Sequence, residues 1–219
     1  MPRRKLMHYE YCDNADNIIQ AGKPLYERVK GKWKTSFFAN ENPLVVELAC
    51  GKGEYTVGLA KVHPDKNYIG MDIKGDRIAR GSRAAIEAKL SNVAFLRAGI
   101  QYADEFFDAG ELDEIWLIHP DPQVRERDEP KRLTNAHFLR RYAEYLKPGG
   151  LFCLKTDSDF LYHYSLEMIS EDSNYRILDY TDDLYHSPLL ESHYGVKTHY
   201  EKIFVAKGYT IKYIVCQRV

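Results

Sequence analysis

The sequence predicts an α/β domain: a doubly wound, mostly parallel sheet with an antiparallel C-terminal edge. Three observations lead there. From residue 44 onward, short apolar runs alternate with helical patterns of ten to sixteen residues, the rhythm of strands joined by helical crossovers. The tail breaks that rhythm, with a strand, a polar loop, a helix ending at Gly208 and a last strand. The 219 residues suffice for one sizeable core and are short for two.

The elements follow in order. "LVVELA" (44–49) reads as a buried strand running into Gly51, and "EYTVGLAKVH" (54–63) as a helix stopped by Pro64. "NYIGMD" (67–72) is a strand and "GDRIARGSRAAIEAKL" (75–90) a helix. "NVAFLRA" (92–98) and "DEIWLIH" (113–119) are strands, and "NAHFLRRYAEYL" (135–146) is a helix closed by Lys147-Pro148-Gly149-Gly150. "LFCLKTD" (151–157) is a strand and "DFLYHYSLEMIS" (159–170) a helix. "YRILDYT" (175–181), the helix of "HYEKIFVAKG" and the strand of "YTIKYIVCQR" finish the sheet. Ligands of such a fold sit at the carboxyl ends of its strands.

Composition narrows the class. Apolar content of 44% and charged content of 29% fit a globular protein, and no apolar run nears the roughly 18 residues of a membrane span. "MPRRKLMHYE" is basic with no apolar stretch after it, which argues against a secretory signal. The four cysteines, Cys12, Cys50, Cys153 and Cys216, are scattered without metal-ligand spacing, so reduced thiols, a cytoplasmic location and no metal are expected. Net charge is −1. Residues 1–34 nevertheless hold eight basic residues (Arg3, Arg4, Lys5, Lys23, Arg28, Lys30, Lys32, Lys34) against four acids. The sequence therefore divides into a basic, mobile N-terminal segment (1–30) and a single domain (31–219). A phosphate backbone touching one face would suit that charge; so would an ordinary soluble leader.

The loop after the first strand carries the chemistry. In "VVELACGKGEYTVGLA", Gly51 and Gly53 let the backbone turn sharply and approach a ligand. A dinucleotide fingerprint would need a third glycine where Thr56 stands, and a phosphate loop would need Ser or Thr after Lys52. Glu47 precedes the glycines; it would repel a pyrophosphate and attract a cation. Asp72 ends the second strand, placed to accept ribose hydroxyls. A ligand with a ribose, a positive charge and no pyrophosphate is S-adenosylmethionine, and the set points to a Rossmann-like class I methyltransferase.

Two further acids close adjacent strands: Asp121 in "LIHPDP" and Asp157 in "LKTD". Like charges brought together cost energy, so they suit a substrate rich in N–H donors, such as guanine, or a reaction whose product is a cation. Glu201 in "THYEKIF" reads either as a third such acid or as the return bond of a T-x-x-E capping box with Thr198.

Together, "GKWKTSFFANENPLVVELACGKGEYTVGLAKVHPDKNYIGMDIK" (31–74), "DPQVRERDEPKRLT" (121–134), "FCLKTD" (152–157) and "THYEKIFVAKG" (198–208) resemble the bacterial tRNA (guanine-N7-)-methyltransferase family. The resemblance implies S-adenosylmethionine as cofactor, tRNA as partner and methylation of a guanine in the variable loop. It implies cofactor contacts from Glu47, Gly51, Gly53, Asp72, Gly99, Ile100 and Asp121. Asp121 would also be the catalytic residue, standing between cofactor and base, with Arg125, Asp157, Thr198, Tyr200 and Glu201 on the substrate. The chain departs from the family where D-P-W-P-K-x-R-H is usual and it reads DPQVRERD, and where Gly99 replaces a common acid. The family includes monomers and homodimers.

Guanine N7 holds a free lone pair, so alignment and electrostatics, not a general base, are expected to drive transfer. Arg77, Arg80 and Arg83 recur every three residues and read either as a phosphate-binding stripe or as a solvated face. Tyr185, His186, His193, Tyr194, His199 and Tyr200 either stack on splayed bases or share core and surface roles. Two competing readings stand beside this one: a same-fold methyltransferase acting on a small molecule or protein, and a non-catalytic RNA-binding relative.

Overall fold

A computed structural model describes residues 3–219. The side chains of Arg3, Arg4 and Lys5, part of the basic leader, lie outside the described residues. One eight-stranded sheet organises the chain, in the order β1-β4-β3-β2-β5-β6-β8-β7. The strands are β1 (Ile18–Ile19), β2 (Leu44–Leu48), β3 (Asn67–Met71), β4 (Val93–Leu96), β5 (Leu112–Ile118), β6 (Leu146–Thr156), β7 (Tyr175–Thr181) and β8 (Lys212–Arg218). Every pairing from β1 to β6 is parallel; β8 pairs antiparallel with β6 and β7. The doubly wound sheet and its antiparallel edge are therefore as the sequence predicted. Strand order reverses between β2 and β5, and there the crossovers diverge to open a crevice above the strand ends.

Helices α1 (Arg3–Asn14), α2 (Glu54–Val62), α3 (Gly75–Glu87), α4 (Ala136–Tyr145), α5 (Asp159–Glu171) and α6 (His199–Ala206) surround the sheet. Because side chains alternate along a strand, each strand feeds two apolar layers. In β2, Leu44, Val46 and Leu48 enter the layer shared with α4 and α5, while Val45 enters the layer shared with α2 and α3. In β4, Ala94 and Leu96 take the first layer, Val93 and Phe95 the second. Central strands buried on both faces need the continuous apolar runs read in the sequence.

Two regions differ from expectation. β6 begins at Leu146 and absorbs Lys147-Pro148-Gly149-Gly150, with a register shift against β5 where these residues bulge. The basic leader, as far as it is described, packs on the body. α1 lies on α3, with Tyr11 Oη 3.1 Å from Ser82 Oγ and the Cys12 thiol donating to the Gly75 carbonyl at 3.3 Å. β1 extends the sheet beyond β4, and Val29 is buried in the core. No helix among the described residues is long and apolar enough to cross a membrane.

Candidate active site

The site starts in the loop between β2 and α2, where Ala49, Gly51 and Gly53 all have left-handed backbone, at φ of 57°, 56° and 65°. Gly53 is required twice over: besides its φ, a Cβ there would lie 2.4 Å from the Phe95 ring. Gly51 faces open space, so its need is conformational alone. Its N–H donates to Asp72 Oδ2 at 2.9 Å, while Asp72 Oδ1 accepts the Lys74 N–H at 2.8 Å. Asp72 thus ties the turn after β3 to the glycine loop and keeps lone pairs on both oxygens.

Glu47 is buried in β2, and its Oε2 accepts the Thr56 backbone N–H at 2.7 Å and the Thr56 hydroxyl. Burial outweighs these bonds and, helped by Asp72 and Glu54, raises its carboxyl to about 7. No ion pair among the described residues involves Glu47. A buried acid without a cation suits a ligand that brings one.

Two clefts meet at Ala49. The first, about 130 Å³, is lined by Glu47, Gly51, Lys52, His119, Thr198 and Tyr200 among others. The second, about 350 Å³, lies over Asp72, Ile73, Gly99, Ile100, Pro130 and Phe138. A polar pocket holding an uncompensated acid joins an apolar slot with a carboxylate at its rim. That donor set fits the charged amino-acid end and the nucleoside of S-adenosylmethionine respectively. Gly99 suits the slot, since a Cβ there would press on the Gln101 side chain at 2.6 Å.

On the far wall, Thr198 and Glu201 form the complete capping box of α6. Glu201 is fully buried, with Lys155 Nζ 2.7 Å from its Oε1 and the Tyr185 hydroxyl donating to the same oxygen at 2.5 Å. His119, just past β5, has its Nδ1 2.9 Å from Asp157 Oδ1 and its Nε2 3.7 Å from Glu201 Oε2. Burial opposes ionisation of Glu201, yet His119, Lys155 and Tyr185 prevail and hold it at about 2. Asp157 is likewise lowered, burial being outweighed by His119. Both acids expected on the substrate are therefore engaged by neighbouring side chains.

Asp121 and Arg125 are exposed and line neither cleft. Asp121 Oδ1 accepts the Gln123 N–H at 3.1 Å, two residues beyond His119, which does face the cleft. Arg132, within the charged run 125–132, is 5% exposed. Its guanidinium lies over the Phe160 and Tyr164 rings, 4.7 and 4.5 Å from their centroids, and its Nε donates to the Gln123 carbonyl at 3.1 Å. This anchor folds the 121–134 segment back so that Pro130 and Lys131 reach the second cleft. Among the aromatic candidates, Tyr200 is exposed at the first cleft, whereas His193 is buried against Tyr55 and Tyr213. Sequence reasoning passed over His119 and Lys155. The K-T-D run and the histidine before Pro120 were visible, but no spacing links them.

The chain matches the family model described as "Putative methyltransferase" over residues 41–214. It is 42% identical over 216 residues to the tRNA (guanine-N(7)-)-methyltransferase of Cytophaga hutchinsonii, covering 98% of this chain and 97% of that one. It is 47% identical over 186 residues to the enzyme of that name from Bacteroides thetaiotaomicron, covering 85% and 73%. The likeness to the Bacillus subtilis enzyme of that name is 36% over 182 residues, 83% of each chain. Among solved structures, an antibiotic-related methyltransferase superposes with a TM-score of 0.62 at 21% identity, covering 84% of this chain and 92% of that one. The 16S rRNA methyltransferase KamB superposes with a TM-score of 0.63 at 14% identity, covering 84% and 91%; these two bear on the fold alone. The chain belongs to the tRNA (guanine-N(7)-)-methyltransferase family.

Proposed function

We propose that the protein transfers the methyl group of S-adenosylmethionine to N7 of a guanine in the tRNA variable loop. The observation that carries this reading is the joined pair of clefts at the strand-order reversal, with Glu47 in one and Asp72 at the rim of the other, in a chain of this family. When bound, S-adenosylmethionine supplies an electrophilic methyl on a positively charged sulfur, and guanine N7 accepts it without losing a proton.

The residues therefore have to align and to stabilise charge. Glu47 balances the positive charge in the first cleft. Asp72 holds the ribose, Gly51 and Gly53 allow close approach, and Gly99 and Ile100 floor the purine slot. Asp121, exposed in the loop past β5 and outside both clefts, is our catalytic residue, its charge stabilising the cation that forms on the methylated base. Thr198 and Tyr200 meet the incoming nucleotide at the cleft wall, and Arg125 grips the RNA outside it. Asp157 and Glu201 support that wall through His119 and Lys155.

The RNA approaches along the groove of about 390 Å³ between α2 and α3, which shares Lys52 and Glu54 with the first cleft. Lys52, Lys61, Arg77 and Arg80 edge these two hollows and form no ion pair among the described residues, as a phosphate track requires. Arg83 is not part of it, being half-buried with its guanidinium 4.1 Å from the Tyr11 ring centroid.

Incubation of the purified chain with S-adenosylmethionine and unmodified tRNA, followed by nucleoside analysis, should yield 7-methylguanosine in the variable loop. Methyl transfer that needs no tRNA would favour the small-molecule or protein reading; tRNA binding without turnover would favour a non-catalytic relative.

A further inference from the structure

We propose that His119 is a positioning residue that ties the carboxyl ends of β5 and β6 to α6 and, as a cation, holds Thr198 and Tyr200 in the wall of the first cleft. The inference rests on the function proposed above only for the activity it would affect.

The geometry is specific. His119 has φ of 48°, a conformation that residues other than glycine seldom adopt, and its backbone N–H donates to the Lys155 carbonyl at 2.8 Å. Its side chain is 8% exposed and sits between two carboxylates, Asp157 at 2.9 Å and Glu201 at 3.7 Å. The second distance is too long for a hydrogen bond, and Nε2 is buried with no hydrogen-bond partner. A neutral imidazole has one N–H, so it would turn a lone pair toward one of the two acids; an imidazolium presents a donor to each.

Charge balance points the same way. Lys155 compensates Glu201 at 2.7 Å. Lys212 gives its ammonium to Asp159 at 2.8 Å and reaches only the backbone carbonyl of Asp157. The Lys212 charge still helps to lower Asp157, but among the described residues His119 is the side chain bonded to its carboxylate. Of the other titratable groups nearby, Tyr185 donates to Glu201, Lys197 lies over the Tyr185 ring 4.2 Å from its centroid, and His193 is bonded to Tyr55. Burial works against the charged ring, but the two carboxylates prevail and raise its pKa above the ordinary 6.5. Phe204 of α6 packs beside it, ring centroids 6.3 Å apart. The tie reaches the cleft because α6 starts at the capping residue Thr198, and Thr198 and Tyr200 line that cleft.

A group whose pKa rises on folding stabilises the fold below its unfolded value and stops doing so as pH climbs through the folded value. The tie should therefore loosen on the alkaline side. Three measurements on the full chain test this. The His119 imidazole, followed by NMR, should titrate above 6.5. Amide exchange in α6, corrected for intrinsic pH dependence, should quicken as that titration completes, and in His119→Gln it should be fast at every pH. The KM for tRNA should rise severalfold in His119→Gln, with kcat changed far less and the alkaline rise of the wild type gone. Asp157→Asn keeps the ring, and its imidazole pKa should fall toward the ordinary range, a result that stands even if His119→Gln does not fold. A ring titrating at or below 6.5 in the wild type, an unmoved ring in Asp157→Asn, or α6 exchange indifferent to His119→Gln would overturn the proposal. Absence of 7-methylguanosine with the NMR and exchange results intact would instead sink the functional reading.

Discussion

Two buried glutamates flank the first cleft, Glu47 in its lining and Glu201 behind the α6 wall, and their surroundings are opposite. Glu47, on the glycine-loop side, has two bonds from Thr56 and no cation, and burial raises it to about 7. Glu201, on the α6 side, has Lys155, Tyr185 and His119 around it and is held at about 2 despite burial. The difference separates two uses of a buried acid. Where the protein supplies the cation, the acid belongs to the framework. Where it supplies none, charge compensation is left to the ligand.

Glu201→Gln should strand a fully buried Lys155 ammonium and destabilise the fold by about 3–5 kcal/mol, read by urea denaturation. A loss below about 1 kcal/mol would mean that the pair does not organise α6. Next comes Asp121, an exposed acid that belongs to neither class. Asp121→Ala should lower kcat roughly a hundredfold while S-adenosylmethionine affinity stays near wild type; unchanged turnover would remove it from the reaction.

Glu47→Gln should weaken S-adenosylmethionine binding by roughly 10–100-fold, measured by calorimetry, yet leave the unliganded fold as stable or more so at pH 8. The two acids should also separate on pH. Glu201, lowered to about 2, contributes stability above its ordinary 4.5 that is lost as pH falls between those values. Glu47, raised to about 7, contributes below its ordinary 4.5 and loses that contribution as pH rises through 7. Subtracting the Glu47→Gln stability curve from that of the wild type should isolate the second window. The smallest effect is expected outside the cleft. Arg80→Ala should raise the KM for tRNA a few-fold and reduce the salt slope of binding by about one, with no change in S-adenosylmethionine affinity.

Much of the fold was legible because the central strands are buried on both faces and print continuous apolar runs, as in "LVVEL". The N-terminal region was not. α1 mixes charged and apolar residues without a strong periodic stripe, and β1 is two residues long, so only packing on α3 and β4 reveals them. Trp33–Phe38 forms a π-helical turn whose buried Trp33 donates to the Phe106 carbonyl at 2.8 Å, a contact with no local signature. Arg132 sits in a charged run that carries no sign of burial, and two aromatic rings from α5 make it an anchor.

By itself the sequence determined the strand–helix alternation and the glycine loop with Glu47 before it and Asp72 beyond it, and it offered the capping box at Thr198 and Glu201 as one of two readings. All of these depend on neighbours within a few residues or on a fixed periodicity. Only the tertiary structure decided which acids are compensated and which are left for a ligand. His119 and Asp157 are 38 positions apart in the chain, and Lys155 meets Glu201 only because β6 ends beneath α6. Charge compensation is a matter of distance in space, and in the buried interior a few ångströms separate a carboxylate at about 2 from one at about 7.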